Sequence, residues 1–363
     1  AGWNDADLTK PLHTTPLDHG FDYARFTSRS HGTSGPGFGK AGRKKNGPNQ
    51  GVGPGHIHGR QAIGATGNGK QIVADGPNAY ILSKLGSRHS DHAADFLAKH
   101  VSDSKTQQQP FFLYYASNSN HGPHTPDGFI AGQSVKGAAR SKSGKPMKVR
   151  DDYIYENDVA LGRLLDWLES TDDPRSAGQK LIRNTVVIFT SDNGGERNVT
   201  SNAPLRGGKS ELFEGGIRVP LIAKRPGKFP PRAVCAAPTC NVDFYPTFLE
   251  VAGLPRDDQQ TLDGRSVLGL FQRPQASVEG RSFYWHYPLP KPHFLGGVSG
   301  GAIREGNWKL IEWFEKDAVS LFDLAVDLGE KNDLAKIEKE VATRLQRKLR
   351  KWRDSLGAKT TVK

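Results

Sequence analysis

The 363-residue chain has only two cysteines, Cys235 and Cys240, a single methionine, Met147, and no apolar run near the length of a spanning helix. Two thiols cannot build the disulfide framework of a small secreted scaffold, and neither stands in a repeated C-x-x-C spacing that would hold zinc. They could bridge one another in an oxidising compartment, and that alternative stays open. A bilayer-crossing helix needs roughly 20 consecutive apolar residues, so no membrane span is expected. The first residue is Ala1 and the only methionine is internal, so the chain is expected to be processed or to belong to a longer gene product.

Glycine and positive charge are plentiful. There are 42 glycines, and 50 Lys and Arg face 38 Asp and Glu, for a formal charge of +12 and an isoelectric point near 9.6. Such a balance suits an anionic partner: a sulfated or phosphorylated substrate, a polysaccharide or a nucleic acid. Charge alone does not choose among them. Residues 32–70 are about one-third glycine, with Pro36, Pro48, Pro54 and the basic run Arg43, Lys44, Lys45, which reads as a long irregular loop. Its Gly-x-Gly patterns follow no strand and open no capped helix, so a solvated loop is expected and not a phosphate cradle.

From Arg88 onward the pattern becomes periodic. A short helix around Ala94, Phe96 and Leu97 is followed by "FFLYY" at 111–115, which reads as a strand. Asp151–Ser170 reads as a helix through Ile154, Leu161, Leu164, Leu165 and Leu168. Thr185–Phe189 reads as a strand covered on both faces, and Arg218–Ala223 as another. A helix over Asp243–Ala252 is stopped by Gly253. Strands alternating with helices predict an α/β fold with a mainly parallel sheet wound on both faces. Past about Arg281, "SFYWHY", "NWKLIEW" and "SLFDL" predict a small antiparallel sheet. Leu334, Ile337, Val341, Leu345, Leu349, Trp352 and Leu356 predict one amphipathic helix packed on it, its basic residues forming a solvated face and not a nucleic-acid reader. The expected domains are 1–280, a catalytic α/β domain, and 281–363, a small α+β subdomain.

Three stretches carry chemistry. "FTSDNGGE", residues 189–196, ends a strand in Asp192 and Asn193, the hard oxygen donors that calcium or magnesium prefers; an Asx turn closing the strand is the bland alternative. In "APLRGGKSELFEGGIRVP", residues 203–220, Lys209 lies between two glycine pairs, where its ammonium could meet an oxyanion. Glu214 is expected to order that turn. In "FFLYYASNSNHGPHTP", His121 and His124 occupy a polar loop leaving the carboxyl end of a predicted strand, where ligands collect in open α/β sheets. A histidine there can hydrogen-bond an anion or protonate a leaving group.

In this order the pieces resemble the sulfatases of the alkaline phosphatase superfamily. The likeness runs from "PLDHGFDY" through "ENDVALGRLLDWLE", "VVIFTSDNGGE", "LRGGKSELFEGGIRVPLI" and "NVDFYPTFLEVAGLP" to "LDGRSV", "FYWHYP", "GAIREGNWKLIEWFE" and "LFDLAVDLGEKNDLA". The resemblance implies an alkaline-phosphatase-like fold and hydrolysis of sulfate esters of aryl or, more plausibly, carbohydrate substrates. Asp192 and Asn193 match ligands of the family's divalent cation, usually calcium, and Lys209 matches a lysine that contacts the sulfate. His121 matches the histidine near the leaving oxygen, with His124 as the fallback. His286 in "FYWHYP" borders the substrate pocket or simply packs. Secretion to a periplasmic, extracellular or lysosomal space is also implied.

The departures are as specific as the matches. A family member carries paired aspartates that complete the metal site, a C-x-P-x-R or S-x-P-x-R motif whose first residue becomes formylglycine, and a G-K-W-H-L-G-like stretch. None occurs in these 363 residues. They are expected in a preceding segment, without which the isolated chain is expected to be inactive and to expose sheet edges. Two other readings stay open: a phosphate or phosphonate ester hydrolase of the same superfamily, and a non-catalytic polyanion binder. The partner expected is a sulfated small molecule or polysaccharide, with no nucleic acid; the oligomeric state is left unassigned.

Overall fold

The structure, a computed structural model, describes residues 8–28, 55–67, 70–71, 73, 78–276 and 280–360. Contacts group the chain into two units, Ala1–Asn184 and Thr185–Lys363.

In the first unit, β1 (Arg25–Thr27), β2 (Gly55–His58), β3 (Gln61–Gly67) and β4 (Lys70–Gln71) form an antiparallel sheet in that order. This corrects the loop expectation at its C-terminal end, while residues 29–54 lie outside the described residues. Glycine-rich composition hid a hairpin because Ile57 and Ala65 suffice to anchor it, packing with Leu8 and Leu12 in a small core.

Helix α1 (Leu85–Ser102) is much longer than the expected short helix, and it packs on α2 (Val149–Ser170). Their seam is Ala93, Leu97 and Leu164, joined by Phe111, Leu113 and Tyr115. Those last residues belong to "FFLYY", which joins no ladder among the described residues; Phe112 and Tyr114 remain exposed. Alternate residues are therefore buried as in a strand, but only one face is covered. A hairpin of β5 (Phe129–Ile130) and β6 (Gln133–Ser134) follows the histidine loop.

The buried face of α2 differs from the apolar stripe read in the sequence: it includes Asp152 and Glu156 beside Tyr153, Ala160, Leu164 and Leu168, while Ile154 is exposed. Asp152 accepts from the backbone N–H of Gly137 and Ala139, both at 2.9 Å. A carboxylate that caps backbone donors can be buried where an unpaired one could not.

In the second unit, β7 (Val187–Thr190) pairs antiparallel with β8 (Leu221–Lys224). Every ladder among the described residues is antiparallel, where a mainly parallel order was expected. The link between β7 and β8 contains a one-turn helix, Glu214–Ile217, and no crossover helix, so the chain returns alongside the strand it left. All four residues of β7 are partly exposed, which corrects the expectation of a strand covered on both faces. The helix predicted at Asp243–Ala252 is α3 (Phe244–Val251), followed by Gly253 at φ +66°.

The C-terminal sheet follows the sequence reading closely. Strands β9 (Ser282–Tyr287), β10 (Gly300–Glu305), β11 (Trp308–Trp313) and β12 (Ala318–Asp323) form an antiparallel sheet, order β12-β11-β10-β9, with α4 (Lys339–Ser355) against it. Ile303, Leu310 and Leu321 meet Ala342, Leu345 and Leu349 of α4 on one face. Their neighbours Ala302, Ile311 and Phe322 meet Leu212 and Leu324 on the other. Successive side chains alternate faces, and both faces are covered, so these strands carry adjacent apolar residues.

Candidate active site

The loop after β7 and the loop around Lys209 are joined backbone to backbone. Gly194 N donates to Gly216 O at 2.9 Å and Lys209 N to Gly195 O at 3.1 Å. Asn202 clasps both: its Oδ1 accepts from Gly195 N at 3.1 Å, and its Nδ2 donates to Gly195 O at 2.7 Å and Gly207 O at 3.0 Å. A Cβ on Gly194 would lie 1.8 Å from Gly215 O, and one on Gly208 would lie 2.5 Å from Gly195 O. Glycine is required in both motifs because two main chains touch there.

This contact brings Asp192, Asn193 and Lys209 onto adjoining loops. Asp192 is exposed, and its Oδ1 accepts from Asn193 N at 2.9 Å; Asn193 Nδ2 donates to Gly194 O at 2.9 Å. The Asp192 bond reaches only the next residue and is not the Asx turn, which needs the N–H two residues on, and Asp192 Oδ2 and Asn193 Oδ1 have no hydrogen bond among the described residues. Lys209 is half-buried and makes no ion pair among the described residues. Glu211 secures the same turn, accepting from Gly208 N at 2.9 Å and pairing with Arg197 at 3.0 Å.

Two oxygens suit a hard cation in kind but fall short of the six to eight that calcium takes. Among the described residues no group of three His, Cys, Asp or Glu could hold a metal ion. Asp192 and Asn193 do line a cavity of about 1240 Å³ that Glu214, Arg218, His286 and Arg304 also border. His286 is only partly available to it: Nε2 meets the Lys359 carbonyl oxygen at 3.0 Å and the ring packs on Phe314. Cys235 and Cys240 line the same cavity as free thiols.

His121 and His124 belong to the first unit. His121 is exposed, with Nδ1 2.7 Å from Gly122 O, and His124 lies edge-on to the Tyr153 ring. Their loop is held by one residue that the sequence reading passed over. Glu156 accepts from Ser119 Oγ at 2.7 Å before the histidines and from Asp127 N at 2.6 Å after them. Burial pushes the Glu156 carboxyl above its ordinary range, and these two hydrogen bonds pull against that rise. The signal was a glutamate one turn from Asp152 on the inward face of a helix.

Comparison with known proteins identifies the family. The sulfatase family model matches residues 22–254, and a model of the C-terminal part of N-sulphoglucosamine sulphohydrolase matches residues 208–355. The chain belongs to the sulfatase family. A protein named sulfatase from Formosa agariphila is 30% identical over 312 residues, 80% of this chain and 54% of that protein. An N-acetylgalactosamine-6-O-sulfatase from Bacteroides thetaiotaomicron is 26% identical over 326 residues, 82% of this chain and 55% of that protein. Among solved structures, Ps i-CgsB in complex with k-i-k-neocarrahexaose superposes with a TM-score of 0.60 at 27% identity, covering 82% of this chain and 57% of that one. The chain thus spans about half the length of the curated relatives it matches, and its fold class is the alkaline-phosphatase-like α/β one.

Proposed function

We propose that this chain is part of a sulfate-ester hydrolase in which Lys209 holds the sulfate group while Asp192 and Asn193 give two oxygens to a divalent cation, calcium. The observation that carries the reading is the glycine contact between the two loops, which puts Lys209 on a loop in main-chain contact with the one that carries Asp192 and Asn193. A surface lysine and a routine Asx turn would need no such contact. The Lys209 ammonium neutralises charge on the bound anion. When bound, the cation would draw charge from the sulfate oxygens. Its remaining ligands and the formylglycine nucleophile are assigned to a preceding segment of the full protein.

Carbohydrate sulfates are the substrates this reading favours. A chain of charge +12 suits a polyanionic glycan, the Bacteroides relative is named for a sulfated amino sugar, and the Ps i-CgsB structure contains a carrageenan-type oligosaccharide.

The test uses the protein expressed from its intact coding region, assayed for sulfate release from a chromogenic aryl sulfate and a sulfated galactan oligosaccharide, with calcium and with a chelator. Release that needs calcium, and falls at least about 100-fold in kcat/KM in Lys209→Ala, is the expected result. Faster cleavage of the matching phosphate ester, or salt-sensitive glycan binding without sulfate release, would replace this reading with one of its two rivals.

A further inference from the structure

Lys309 is the most unusual side chain in the second unit. It is the second residue of β11, between Trp308 and Leu310, and is fully buried. Its Nζ donates to Glu214 Oε1 at 3.0 Å and pairs with Glu330 Oε1 at 2.8 Å, both carboxylates being buried as well. Glu330 in turn accepts from Glu214 N through Oε2 at 2.7 Å, and its carbonyl oxygen accepts from Arg206 Nη1, also at 2.7 Å. The Arg206 guanidinium lies 4.0 Å over the Phe213 ring. Arg304 approaches the far side of Glu214, at 3.6 Å from Oε2.

These contacts grip the chain at Arg206 and at Glu214, the two ends of the stretch that holds Gly207, Gly208 and Lys209. Apolar residues of similar volume could fill such a site at no loss of stability, and often with a gain. A buried ammonium shared by two carboxylates does something packing cannot: it admits one registry, because any shift leaves a charge unpaired. We propose that Lys309 is a positioning residue for Lys209, setting the 206–216 loop against the Asp192-Asn193 loop, so that anion binding at Lys209 depends on the C-terminal sheet. The dependence of anion affinity rests on the function proposed above; the positioning itself does not.

The test compares the full chain with Lys309→Met, which keeps length and removes charge, and with Leu345→Ala, which weakens the opposite face of the same sheet. Amide hydrogen exchange reports loop order, and the NMR signal of 13C-methylated Lys209, assigned through Lys209→Arg, reports titration with inorganic sulfate. In Lys309→Met, exchange at 206–217 should rise about tenfold or more above that of β10 and β11, with sulfate affinity at Lys209 falling by a similar factor. Leu345→Ala should loosen β10, β11 and α4 without singling out that loop. If Lys309→Met does not fold, Glu330→Gln serves in its place, with the same loop affected. Uniform loosening of the sheet and loop, or unchanged exchange and unchanged sulfate affinity, overturns the proposal. Selective loop exchange in a chain whose wild type binds no sulfate upholds the positioning role and removes the sulfate reading instead.

Discussion

Replacing Gly194 by alanine tests the physical basis of the site most directly. The new Cβ would stand 1.8 Å from Gly215 O and 2.7 Å from Gly215 C, where ordinary contact begins at 3.4 Å. Both neighbours are backbone, so no rotamer change relieves the clash, and the two loops must part by about 1.6 Å. That displacement breaks the hydrogen bond from Gly194 N to Gly216 O and strains the one from Lys209 N to Gly195 O. At about 1 kcal/mol net for each bond, and roughly 1–3 kcal/mol for overpacking, the expected loss is about 3–5 kcal/mol. Gly162, inside α2, is the control: a Cβ there meets nothing within 4 Å, so Gly162→Ala should stabilise by about 0.5–1 kcal/mol. Urea unfolding followed by circular dichroism and tryptophan fluorescence measures both, two probes being needed because the two units need not unfold together. A cost below about 1 kcal/mol for Gly194→Ala, or the same sign in both variants, would refute the close-contact account of the glycines.

Two further expectations concern buried charge. Arg281 meets Asp243 through two hydrogen bonds, at 2.8 and 2.5 Å, while Asp243 also accepts from Cys240 N and Arg265 N. Arg281→Met should therefore cost about 3–5 kcal/mol by urea unfolding, and a loss typical of a surface pair, below about 1 kcal/mol, would contradict it. Glu305 is raised by burial but lowered more by hydrogen bonds from Lys348 and Arg344, ending at about 2 against the usual 4.5. A carboxyl lowered on folding contributes stability that is complete above the unfolded value and is lost as pH falls through the folded one. The stability gap between wild type and Glu305→Gln should accordingly close between pH 4.5 and about 2, as read from urea midpoints and from Trp352 fluorescence, whose ring stacks on Tyr284 of β9. A gap that does not change with pH would exclude these ion pairs as its source.

The small sheet and α4 were legible because their residues alternate or step by three and four on the way to a buried face, a local property of the chain. The same holds for the helix ending at Ser170, although its inward face was misjudged: apolar periodicity cannot show that Asp152 and Glu156 turn inward to cap backbone N–H groups. Lys309 was hidden for a related reason, since a lysine in an apolar strand reads as a fault until Glu214 and Glu330 are brought to it from 95 residues before and 21 residues after. Among the described residues the strands pair antiparallel and β7 is partly exposed, because pairing direction depends on the connection and not on the strands.

Family membership and the choice of Asp192, Asn193, Lys209, His121 and His124 as candidates came from the sequence by itself, since motif order and residue type are one-dimensional. Why Gly194, Gly195, Gly207 and Gly208 accompany them, which segment anchors the histidine loop, and what holds Arg206 and Glu214 were decided only in three dimensions. Main-chain contact and the pairing of buried charges join residues distant in sequence, and neither leaves a periodic trace in it.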